Sequence, residues 1–96
     1  MATFLMLSTI GPEGMATLHE NPRRVLEVNS EVEAMGATIV AQWALLGEYD
    51  FATVVEAEDE ETVVRVAVTL GSRGTLKTKT MTAIPVERLV DLLSGS

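Results

Sequence analysis

The sequence predicts an α+β fold whose elements run βαββαβ and close with a short C-terminal helix, and three observations predict it. Apolar residues recur at steps of three and four in Val25, Val28, Val32 and Met35, and again in Val63, Val66, Ala67 and Leu70, the spacing of helices with one buried stripe. Four runs of strand character, 3–8, 37–46, 49–56 and 76–83, lie around these two stretches. Turn or cap residues, chiefly glycine and proline, punctuate the junctions.

Each element has its own justification. Thr3 to Ser8 (TFLMLS) is a short apolar run closed by Gly11 and Pro12, which suits a strand buried on both faces. A short helical segment over 13–20 follows, and Asn21-Pro22 interrupts it, because proline disfavours α geometry in the residue before it. Proline is favoured at a first helical position and asparagine as an N-cap, so the main helix is expected over 22–35, with Gly36 as its left-handed terminus. The runs 37–46 and 49–56 are separated only by Gly47-Glu48. A two-residue type II′ turn needs positive φ at its first central position, which gives Gly47 a structural role. Asp59, Glu60 and Glu61 then cap and complement the positive end of the second helix, which Gly71 ends. Leu76 to Ala83 (LKTKTMTA) alternates as a fourth strand, and Pro85 opens a terminal helix carrying Val86, Leu89, Val90 and Leu93.

Right-handed crossovers and the central hairpin close these elements most simply as a ferredoxin-like antiparallel sheet of order 4-1-3-2, one domain over 1–96 with both main helices on one face. The first three strands are apolar at odd and even positions alike, unlike a sheet with one wet face. A second subunit is expected to cover the other face, so a homo-oligomer is predicted.

Composition narrows the function classes. Ninety-six residues bury a small core, and a mean hydropathy of +0.25 leaves apolar surface in excess of it. Fourteen acidic against seven basic side chains give a net charge of −7, which repels nucleic acid and anionic membranes. The absence of cysteine excludes disulfides and thiolate chemistry. No apolar run is long enough to span a bilayer and no basic segment precedes an apolar leader, so a cytoplasmic protein without cofactor is expected.

The chain resembles the GYD-domain family of small, mostly prokaryotic proteins. The residues that carry the resemblance are Gly47-Glu48-Tyr49-Asp50 with Val54-Val55-Glu56-Ala57, Gly14 and Asn21-Pro22-Arg23, Met35-Gly36, and Leu70-Gly71-Ser72-Arg73-Gly74 leading to Lys77-Thr78-Lys79-Thr80. Glu58 stands where family members often have proline. The resemblance implies a dimeric α+β-barrel type of assembly, in agreement with the uncovered sheet face. The family has no established activity, so it transfers no catalytic residue.

Candidate site residues come from the strand pattern. Tyr49 and Asp50 are consecutive and point to opposite faces. The short loop pairs Tyr49 with Leu46, Phe51 with Ala44 and Thr53 with Gln42 on one face, and places Trp43, Leu45, Ala52 and Asp50 on the other. The mixed aromatic and polar face is assigned to the subunit interface, where Tyr49, Gln42 and Thr53, with Thr78 and Thr80 of the last strand, are the candidate ligand-binding residues. Asp50 is expected to bond turn or neighbouring backbone amides. His19, the lone histidine, is expected to be exposed or capping, and no metal site is predicted. The acidic run 56–61 lacks the glycine and ligand spacing of a calcium loop. Gly71-Ser72-Arg73-Gly74 reads as a helix stop, and Lys77 and Lys79 as guards of an edge strand. The leading reading is a non-catalytic, self-assembling protein that binds a small molecule at its sheet face. The alternatives are a cofactor-free or haem-dependent enzyme using Tyr49 or His19, and a partner-binding module with no pocket.

Overall fold

A computed structural model describes residues 1–95. The elements are β1 (Ala2–Ile10), α1 (Pro12–Glu20), α2 (Arg24–Ala34), β2 (Thr38–Ala44), β3 (Phe51–Ala57), α3 (Glu60–Gly71), β4 (Leu76–Ala83) and α4 (Val86–Leu93). The strands form one antiparallel sheet of order β2-β3-β1-β4, the predicted arrangement read from the other edge. Phe4, Met6, Val55 and Ala57 bury against Val32 of α2 and Val63, Val66 and Leu70 of α3, so α2 and α3 cover the same sheet face.

Helix termini follow the sequence closely, with two shifts. Asn21 closes α1 through its N–H to the Thr17 carbonyl instead of capping α2, which starts two residues later than predicted, at Arg24. Proline at position 22 makes a turn there, bonding through its carbonyl to the Val25 N–H at 3.4 Å. Asp59 caps α3, accepting from the Thr62 N–H at 2.9 Å and from its hydroxyl at 2.7 Å. Those bonds, the hydroxyl's first, hold the Asp59 carboxyl below the usual aspartate range. The cap's contribution is therefore complete above the unfolded aspartate pKa and is lost as pH falls through the lower folded value.

The β2–β3 connection is longer than predicted. Ala44 pairs with Phe51, and beyond that pair the Leu45 N–H bonds the Asp50 carbonyl at 2.8 Å. The turn then widens over 46–49 instead of closing at Gly47-Glu48. The reason lies on β1. The Asp50 N–H bonds the Ser8 carbonyl at 2.8 Å, and the Asp50 carboxylate accepts the Ile10 N–H at 2.7 Å, which draws the start of β3 toward β1. A bulge at Val40 also interrupts β2, between Ile39 paired with Val55 and Ala41 paired with Val54.

Gly47 keeps its structural role within this wider loop, at φ +115° with no atom within 4 Å of where a Cβ would stand. Any penalty for a side chain there comes from backbone strain alone. Gly47→Val is expected to cost roughly 1–3 kcal/mol and lower the melting temperature by several degrees, read by thermal denaturation, whereas Glu48→Ala leaves it unchanged.

Candidate functional site

The helix-covered face of the sheet carries more polar side chains than a core needs. The register places Gln42, Thr53, Met6 and Thr80 in one row across the sheet and Ala44, Phe51, Ser8 and Thr78 in the next, on the side of α2 and α3. The pairings of Gln42 with Thr53 and Ala44 with Phe51 are those expected from the sequence. The face is the correction: it is the inner one, under the helices, and not a subunit interface. Alternation tells which residues share a face, while the helices decide which face they cover.

Between this surface and helices α1 and α2 lies an open cavity of about 340 Å³. Met6, Val28, Phe51 and Leu70 line it, together with Gln42, Thr53 and Thr78. Buried Thr53 accepts from Gln42 Nε2 at 3.0 Å, and Gln42 exchanges two bonds with Asn29, whose Nδ2 donates to Gln42 Oε1 at 2.7 Å and whose Oδ1 accepts from Gln42 Nε2 at 3.2 Å. This chain ties α2 to β2 and β3 along one wall. Asn29 was not singled out by sequence reasoning; its polar side chain beside the apolar stripe of α2 was the available signal.

At the rim, Glu31 of α2 receives Arg73 Nη2 on Oε2 and Arg24 Nη1 on Oε1 at 3.4 Å, and Arg24 also bonds Glu27 Oε1 at 3.2 Å. The bond from Arg73, assisted by the charges of both guanidiniums and opposed by desolvation, holds the Glu31 carboxyl below the usual glutamate range. Half-exposed pairs of this kind contribute little to stability. Their effect is positional: they fix two guanidiniums at the cavity mouth.

The remaining predicted residues lie elsewhere. Thr80 lines a separate shallow cleft with Phe4, Val63 and Thr82. Tyr49 is half-buried outside the cavity, with Lys79 Nζ 5.7 Å from its ring centroid. The bond between the Lys79 and Tyr49 side chains is the main cause that raises the Lys79 pKa above the lysine range. His19 is exposed in the last turn of α1 and lines neither depression. Tyr49, His19 and the cavity polar groups therefore do not converge on one reacting centre. Among the described residues, no group of three His, Cys, Asp or Glu side chains is arranged to hold a metal ion.

Asp50 does what was expected of it, bonding a backbone amide, but on β1, the strand beside its own. Asp50→Ala leaves the half-buried Ile10 N–H without its acceptor and is expected to cost about 1.5–3 kcal/mol, seen as a lower urea midpoint. Asp50→Asn keeps an acceptor and should recover most of that loss. Equal midpoints for Asp50→Ala and the unchanged chain would remove the clamp from the account.

The uncovered face is apolar. Leu5 pairs with Val54 and Met81, and Leu7 with Ala52, which pairs in turn with Trp43. Trp43 is 54% and Met81 44% exposed, on the two edge strands that flank the apolar centre of this surface. Helix α4 has no buried residue, and its stripe of Val86, Leu89, Val90 and Leu93 is open.

Comparison with known proteins gives three findings. The GYD domain family model matches residues 4–93. A protein of Thermus thermophilus named glutamine synthetase and cystathionine beta-lyase binding protein is 53% identical over 91 residues, which is 94% of this chain and 96% of that protein. Among solved structures, TTHA0845 from Thermus thermophilus superposes with a TM-score of 0.54 at 21% identity, covering 88% of this chain and 94% of that one. FFRP-DM1 does so with a TM-score of 0.56 at 24% identity, covering 88% of this chain and all of that one. At those identities the two structures show the fold alone.

Proposed function

This chain belongs to the GYD domain family, and from that premise we propose that it is a cytoplasmic, non-catalytic binding protein that assembles with itself and docks on metabolic enzymes. The observation that carries the docking claim is the 53% identity, over almost the full length of both chains, to a protein named for binding glutamine synthetase and cystathionine beta-lyase. Co-purification tests it: size-exclusion chromatography of the purified chain mixed with each of those enzymes is expected to give a co-eluting peak. Independent elution of the chain from both enzymes, at tens of micromolar, rejects the docking claim.

Self-assembly rests on the bare sheet face, and a second copy is the occupant it fits. Besides the apolar centre, this face carries Glu56 opposite Thr3 at one end and Lys79 opposite Leu7 toward the other. A two-fold axis across the strands brings the acidic end of one copy to the basic end of its mate, so the surface is complementary to itself. Helix α4 extends the same contact, its stripe taking cover from the second copy. In light scattering the chain is expected at twice its monomer mass or more; a monomer at all micromolar concentrations rejects this.

Ligand binding is assigned to the inner cavity. Gln42, Thr53 and Thr78 belong to that assignment, and Tyr49 and Thr80, which lie outside the cavity, do not.

A further inference from the structure

Well-packed protein interiors leave few voids larger than a water molecule, so an apolar cavity of about 340 Å³ in so small a chain calls for an occupant. Its volume falls within the range of small-molecule sites, roughly 300–1,000 Å³. Of the hydroxyls around it, that of Thr17 donates to the Glu13 carbonyl at 3.1 Å, and that of Thr53 accepts from Gln42, whose amide is otherwise engaged with Asn29. The hydroxyls of Ser8, Thr75 and Thr78 take part in no hydrogen bond among the described residues. Ser8 differs from the other two in being only 7% exposed, on the inner strand β1. Thr78 lies directly opposite it on β4, so both side chains stand within reach of one bound atom. Native interiors rarely leave a buried hydroxyl without a partner, and the cavity is the side from which a partner reaches Ser8.

Charge gives the class of the occupant. The only charged residues lining the cavity are Arg24 and Arg73. Glu31 receives both guanidiniums and Glu27 receives Arg24 again, so two positive charges meet two negative ones at the mouth. An ion of either sign would leave water for a site with no opposite charge to spare, a costly transfer into apolar surroundings. A neutral molecule avoids that cost. Met6, Val28, Phe51 and Leu70 supply walls for an apolar body. The Ser8 and Thr78 hydroxyls, each able to donate or accept, suit one uncharged oxygen such as that of an alcohol or a ketone. A water molecule that bridges the two hydroxyls leaves most of the volume facing carbon atoms, with which it makes no bond.

We propose that the cavity between the sheet and helices α1 and α2 binds an uncharged, largely apolar molecule with one oxygen function, its body against Met6, Val28, Phe51 and Leu70 and its oxygen at Ser8 and Thr78. This rests on the cavity being a ligand site at all, and matched probes separate the claims. Toluene reports the apolar site, para-cresol adds a neutral hydroxyl, and para-toluate and para-methylbenzylammonium put a charge of either sign in its place. In nuclear magnetic resonance titrations para-cresol is expected to bind saturably, about fivefold more tightly than toluene and about tenfold or more above either ion. It should shift the methyl signals of Val28 and Leu70 and leave the indole signal of Trp43, on the opposite face, in place. Ser8→Ala and Thr78→Val should each remove part of the advantage of para-cresol, and together bring it within about twofold of toluene. Both changes should leave toluene binding and the far-ultraviolet circular dichroism as in the unchanged chain. Equal affinity for para-cresol and toluene, or an advantage that survives both changes, overturns the oxygen assignment and leaves the apolar site. An ion bound as tightly as para-cresol overturns the uncharged class. Absence of saturable binding by para-cresol and toluene up to millimolar concentration, or shifts confined to Trp43, overturns the site as well.

Discussion

Trp43→Glu is expected to abolish the proposed self-assembly and leave a monomer. The indole stands over half exposed on the bare face, in register with Ala52 and Leu7, where a second copy would bury it. Buried tryptophans are frequent interface hot spots, each contributing roughly 2 kcal/mol or more. A two-fold contact presents every substitution twice, so the loss is about 4 kcal/mol, on the order of a thousandfold in the dimer dissociation constant. Placing two carboxylates in that contact adds a desolvation cost. Because Trp43 is over half exposed on the face away from the helices, the melting temperature of the monomer should stay close to that of the diluted unchanged chain. Sedimentation at graded concentrations reads the result. An unchanged mass at micromolar concentration would mean that assembly, if present, uses another surface.

Phe4→Ala is expected to bring the largest loss of stability among single changes to the core. Phe4 is 3% exposed, opposite Val55 and Thr82 at the centre of the sheet, and belongs to the cluster formed with Val63, Val66 and Leu70. Removing a buried phenyl ring typically costs about 3–5 kcal/mol, because the surroundings collapse only partly into the space. Typical values of roughly 0.05–0.15 kcal/mol per residue give a chain of 96 residues about 5–14 kcal/mol in all. The change therefore removes a large share of the total, and the melting temperature should drop by about 10 °C or more. Phe4→Leu, which refills most of the volume, should lose much less. A fall of under about 3 °C for Phe4→Ala would show that the site is not packed as described.

The order and type of every strand and both main helices were legible because each depends on local signals: period-three-and-four stripes, alternation, and glycines with positive φ at 36 and 47. The register was legible for the same reason, since pairing Gln42 with Thr53 and Trp43 with Ala52 requires only alternation and a nearby turn. What was not legible depends on partners distant in the chain. The hairpin loop opens because Asp50 bonds Ile10, forty residues away. The Thr53 and Gln42 side was placed outward because a period of two cannot say which side receives α2 and α3. The amide pair of Asn29 and Gln42 spans thirteen residues and two elements, and appears only once α2 is laid on the sheet. Arg24 and Arg73 come to one carboxylate from opposite ends of the sequence's middle half, a convergence no spacing announces.

The open stripe on α4 has a consequence in time as well as in space. Helices shorter than about 12–15 residues are marginal alone in water, and α4 has eight residues, none of them buried within its own chain. In the proposed assembly its backbone order is reinforced by the second copy. Amide protons of 86–93 should exchange with deuterated solvent almost as fast as in a free peptide when the chain is dilute, and slow down as concentration rises, while those of β1 and β3 stay protected throughout. The C-terminal helix would thus act as a built-in gauge of how much of the protein is engaged, folding and fraying with occupancy before any other part of the molecule responds.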